Sequence, residues 1–85
     1  DVLNKLISKF ELLDKDIINK ISEIEYSPNN YDKERFILYM NDQNTVYITL
    51  TKAKNLNNYN KIKEQLGTNK GILYLDSGNY FEIKE

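Results

Sequence analysis

The side chains that most often carry catalysis are scarce in this 85-residue sequence, which contains neither His nor Cys. Losing His removes the commonest general base and the commonest metal ligand together. Losing Cys removes any disulfide framework or thiolate metal site. Catalysis would have to come from carboxylates, Lys, Tyr or Ser. Glu23 and Glu25 alternate with Ile24 and Tyr26, which puts both carboxylates on the solvent face of an edge-like strand. Asp76 precedes Ser77-Gly78, where a carboxylate bonding its own backbone is an ordinary turn device. The stretch Gly67-Thr68-Asn69-Lys70-Gly71 resembles a phosphate loop only superficially. A Walker loop needs four residues between its glycines, a Lys after the second, and a helix following. Here a helical pattern precedes and a strand pattern follows, which fits a plain helix-to-strand connection. Asp14 and Asp16 do not open a calcium loop, because Ile17 and Ile18 fill its middle and no glycine follows. The residues predict no enzyme, no cofactor and no metal.

Twelve Lys and Arg against thirteen Asp and Glu give a net charge of -1, without long runs of either sign. Phosphate-backbone binding therefore lacks its driving force, and no nucleic-acid partner is expected. Hydrophobic residues make up 40% and charged residues 29% of the chain, the profile of a folded domain rather than a disordered one. The length fits a single domain, residues 1–85, of modest stability and expected to be monomeric alone. No apolar run approaches the roughly 18–20 residues that span a bilayer. The sequence starts at Asp1 directly in a helical pattern, so it reads as a domain excised from a longer polypeptide.

The elements follow from periodicity. Val2, Leu3, Leu6, Phe10 and Leu13 predict an amphipathic helix over about 2–13. Ile17, Ile18 and Ile21 predict a second over about 15–22, with Asp14 as its cap. Strands are expected over about 23–27, 34–41, 45–51, 71–76 and 79–84, and a third helix over about 57–66, capped by Asn57 and closed by Gly67. The fold class is α+β: a small mixed or antiparallel sheet with the helices packed on it. In the central hairpin a three-residue loop Asp42-Gln43-Asn44 would set Phe36 against Leu50, Leu38 against Ile48 and Met40 against Val46. Asn44 would then take the left-handed conformation. Asp76-Ser77-Gly78 fits either a tight turn or a bulge.

Seven tyrosines, no Trp and three Phe make the chain rich in amphipathic rings. Tyr39 and Tyr47 are expected on the face opposite the apolar set of their hairpin, and such rings suit protein interfaces. The last strand is short, aromatic and nearly free of the charges and prolines that deter edge pairing. An edge of that kind offers unpaired backbone groups to an extended segment of another chain.

Two further stretches carry a likeness. Asp16-Ile17-Ile18-Asn19-Lys20-Ile21-Ser22-Glu23-Ile24 and Arg35-Phe36-Ile37-Leu38-Tyr39-Met40-Asn41-Asp42-Gln43-Asn44-Thr45-Val46-Tyr47-Ile48 resemble the C-terminal β subdomain of the bacterial cell-division family FtsQ/DivIB. Leu56-Asn57-Asn58-Tyr59-Asn60-Lys61-Ile62 and Gly71-Ile72-Leu73-Tyr74-Leu75-Asp76-Ser77-Gly78 continue the resemblance in family order. It implies a non-enzymatic divisome scaffold on the extracytoplasmic face of the cell membrane at the septum, with a transmembrane helix and a POTRA domain upstream. It also implies that the last strand accepts a strand from FtsB, called DivIC in Gram-positive bacteria, with FtsL engaged indirectly. Carried onto this sequence, the partner-binding residues would be Tyr74, Leu75, Asp76, Ser77, Asn79, Tyr80, Phe81 and Ile83. Two positions depart from the family pattern. Asp42-Gln43 stands where Asp-Gly is common, and Tyr74 stands where proteobacterial members carry an Arg that pairs with a partner carboxylate. The competing reading is a secreted domain binding a small ligand or carbohydrate through its surface tyrosines.

Overall fold

The computed structural model describes residues 2–76 and 80–83. Helix α1 spans Val2–Phe10 and α2 spans Lys15–Ile18; strands β1 to β5 span Ile21–Tyr26, Arg35–Met40, Thr45–Thr49, Gly71–Tyr74 and Tyr80–Ile83. Between β3 and β4 the chain forms a 3-10 helix, Leu50–Asn58, that runs into helix α3, Tyr59–Leu66. The five strands form one sheet in sequence order, antiparallel except for the parallel pair β3–β4. The α+β class and the helix-on-sheet packing expected from the sequence are borne out.

The helix boundaries that moved have identifiable causes. Helix α1 stops at Phe10 because the amides of Leu12 and Leu13 bond three residues back, to Lys9 and Phe10, tightening the last turn. Leu13 is nonetheless buried. Helix α2 stops at Ile18, four residues early, because Ile21 already pairs with Met40 at the start of β1. A bulge between Ile21 and Glu23 then resets the register. Asp14 occupies the cap position of α2 with extended backbone but makes no side-chain cap bond. Asn57 does not cap α3: its Oδ1 accepts the Asp14 amide (3.0 Å), tying the 3-10 helix to the start of α2. Gly67 does close α3, with φ at +64°, a conformation that disfavours any side chain.

The central hairpin has the expected three-residue loop, but one position earlier. Phe36 pairs with Ile48, Leu38 with Val46 and Tyr39 with Thr45, leaving Asn41-Asp42-Gln43 as the loop. The Met40 amide donates to the Asn44 carbonyl (2.9 Å), and Gln43, not Asn44, carries the positive φ of 75°. The register differs from the expected one by two residues, so every side chain keeps its face.

Asn44 is pulled into the ladder by buried bonds of its own. Its Oδ1 accepts the Gly71 amide (3.0 Å) and its Nδ2 donates to the Tyr59 hydroxyl (3.1 Å). That hydroxyl donates to the Asp42 carboxylate, 2.6 and 2.7 Å from its two oxygens, and Lys63 Nζ lies 2.9 Å from Oδ2. Loop, α3 and the start of β4 are thereby fixed to one another.

The helices cover one face of the sheet. Leu6, Phe10, Leu13 and Ile17 pack with Phe36, Leu38, Val46 and Ile48, and Leu56, Tyr59, Leu73 and Leu75 complete the core. The opposite face carries Glu23, Glu25, Arg35, Tyr39 and Tyr47.

Candidate protein-binding edge

The sheet order leaves two outer strands, β1 and β5. Strand β1 is blunted in the ways natural edges use: it is bulged near its start, and exposed Glu23 and Glu25 line it. The Tyr39 hydroxyl donates to Glu25 Oε1 (2.9 Å), and this bond raises the Tyr39 pKa above its ordinary value. Strand β5 reads Tyr-Phe-Glu-Ile with no bulge in its pairing to β4.

Strand β4 positions β5 through four cross-strand pairs: Gly71 with Ile83, Ile72 with Glu82, Leu73 with Phe81 and Tyr74 with Tyr80. Since Tyr74 pairs antiparallel with Tyr80, the chain reverses between them, as a hairpin does; Ser77 and Gly78, on which the choice between turn and bulge fell, lie outside the described residues.

The proposed contact residues separate by environment. Tyr74 is half-buried on the face away from the helices, its ring 5.1 Å from that of Tyr47 and tilted by 52°. The Arg35 guanidinium sits 5.0 Å over the Tyr47 ring, extending this stack inward across the sheet. Leu75 is fully buried, and its amide donates to the Tyr47 carbonyl (2.9 Å). It supports the edge from beneath and presents no side-chain surface. Asp76 is half-buried; its carbonyl accepts Lys52 Nζ (3.1 Å), and its Oδ1 is buried without a hydrogen-bond partner. Phe81 packs against the core beside Leu73, whereas Ile83 is 54% exposed. Ser77 and Asn79 lie outside the described residues, and for Tyr80 only the backbone pairing is described. Lys52, Arg35 and Glu82 also belong to the surroundings of this edge. The alternation of Phe81 and Glu82 is the sequence signal that marks Glu82; Lys52 and Arg35 arrive through tertiary packing and carry no such signal.

The remaining candidates keep structural roles. Residues 67–70 connect α3 to β4, and Asn69 donates twice to the Leu66 carbonyl. No cluster of three potential metal ligands occurs among the described residues. No described helix is long and apolar enough to cross a membrane. Among the described tyrosines, Tyr59 is in the core and Tyr26 lies against Phe36, whereas Tyr39, Tyr47 and Tyr74 share the face away from the helices, the last two tilted into each other.

Fold and edge together define a two-layer α+β domain with β5 outermost among its described strands. Its relatives are cell-division proteins. The chain is 38% identical over 82 residues to the cell division protein DivIB of Listeria monocytogenes, 94% of this chain and 30% of that protein. It is 36% identical over 81 residues to DivIB of Bacillus subtilis (93% and 31%) and 37% identical over 76 residues to DivIB of Leuconostoc kimchii (88% and 31%). No family model and no solved structure matches. On this similarity the chain belongs to the FtsQ/DivIB family, and it spans about 30% of the length of the curated relatives it matches.

Proposed function

We propose that this chain is a divisome scaffold domain whose β5 edge takes up a strand from an FtsB/DivIC-type partner, which links it indirectly to FtsL. The domain performs no chemistry of its own and works outside the cell membrane at the septum. A transmembrane helix and a POTRA domain belong to the same polypeptide upstream. The observation that carries this reading is the contrast between the two outer strands. Strand β1 is bulged and lined with two exposed carboxylates, Glu23 and Glu25, whereas β5 pairs without a bulge and carries one, Glu82. A row of main-chain donors and acceptors on β5 supplies affinity, and side chains on its two faces supply choice.

Backbone chemical-shift mapping with a DivIC segment tests the proposal. Perturbations are expected at residues 74–76 and 80–83, with an affinity in the micromolar range that a contact below about 1,200 Å² gives. Ile83→Lys should weaken binding about fivefold or more and leave the fold intact, because half of that side chain is already in water. Normal binding by Ile83→Lys, with shifts centred on β1 or on the Tyr39–Tyr47 face, would refute the edge assignment.

A further inference from the structure

The register of β5 specifies what kind of segment completes it; this inference rests on the strand-addition reading above. Phe81 shares the helix side of the sheet with Leu73. Ile83, two residues on, falls on the same side, opposite Gly71. Glycine offers it no cross-strand side chain, and no described strand lies on the outer flank, which leaves Ile83 54% exposed. Glu82 falls on the other side, opposite Ile72, and is exposed. The ion pairs among the described residues are Asp16–Lys20 and Asp42–Lys63, so Glu82 takes part in none of them. Beyond the described end of β4, Lys52 Nζ donates to the Asp76 carbonyl, and the unpartnered Oδ1 of Asp76 is buried, which leaves Glu82 as the exposed carboxylate of the edge.

The described edge is thus apolar on the helix side and carries one exposed, unpaired carboxylate, Glu82, on the open side. Residues directly opposite one another on neighbouring strands meet closely enough for matched charges to stabilise and like charges to repel. We propose that the segment completing β5 alternates apolar residues with Lys or Arg. Its apolar side chains cover Phe81 and Ile83 on the helix side, and a basic side chain stands across from Glu82 on the open side.

Three short synthetic peptides titrated into the 85-residue chain, read by backbone chemical shifts, test this. One alternates valine with lysine, one alternates valine with glutamate, and one keeps the lysines but replaces each valine with asparagine. The valine–lysine peptide should bind about two- to fivefold more tightly than the valine–glutamate peptide, the range of one favourable cross-strand charge pair. Glu82→Lys should invert that order, and the asparagine peptide should lose binding. Equal affinity for the two valine peptides, with shifts still confined to β4 and β5, overturns the charge assignment and leaves strand addition standing. Tight binding by the asparagine peptide overturns the apolar half. Shifts centred away from β5, or no binding by any peptide, overturn this inference and the strand-addition reading together.

Discussion

Asp42 and Tyr59 show how much one pair of side chains can hold. Burial pushes the Asp42 carboxyl up, but bonds from Tyr59, Lys63 and the Asn44 amide outweigh it and leave its pKa below the ordinary value. The Tyr59 hydroxyl is raised, first by burial and then by its bond to Asp42. A depressed carboxyl stabilises the fold above the unfolded value of about 3.9, and that contribution is lost as pH falls through the folded value. A raised phenol stabilises fully below about pH 10, and its contribution is lost as pH climbs beyond. Stability should therefore show a plateau between these limits in denaturant titrations at a series of pH values. Asp42→Asn should cost about 1–3 kcal/mol at neutral pH and flatten the acid limb, because it leaves Lys63 without its counter-charge in a part-buried site. Tyr59→Phe should cost about 1–2 kcal/mol and flatten the alkaline limb.

Among the elements, the central hairpin separates what neighbours dictate from what distance dictates. Alternation alone identified the apolar faces of β2 and β3, since Phe36, Leu38, Val46 and Ile48 are core residues. The loop position depends on Asn44, whose partners Tyr59 and Gly71 are 15 and 27 residues away, and no local pattern announces them. The same alternation places Leu75 on the buried face of Leu73, so its lack of surface is readable from the sequence. The 3-10 helix was not readable, because Lys52 at its kink departs from helical backbone angles and breaks the periodicity. Gln43 bears a conformation that costs a side chain roughly 1 kcal/mol relative to Gly. Gln43→Gly should accordingly raise stability by about 0.5–1 kcal/mol, measured by urea unfolding.

For the molecule as a whole, the sheet order ranks the strands by protection. Strands β2 and β3 lie between paired neighbours, whereas β5 is held on one side only and contributes Phe81 to the core. Amide hydrogen exchange should be slowest in β2 and β3 and fastest in β5, and a partner that adds a strand should slow β5 selectively. The final strand was legible from its aromatic alternation, and its outer position follows from the strand order. Which strand lay beside it was not, since a parallel pairing leaves no mark in local sequence.

That parallel pairing sets an order of assembly. Strand β4 cannot zip onto β3 until the crossover of residues 50–70 has been laid across the sheet, a long-range closure that comes late in folding. Among the described strands β5 pairs with β4 alone, so its place in the sheet waits on that closure. A chain interrupted before residue 71 would hold β1 to β3 together and lack the whole outer flank.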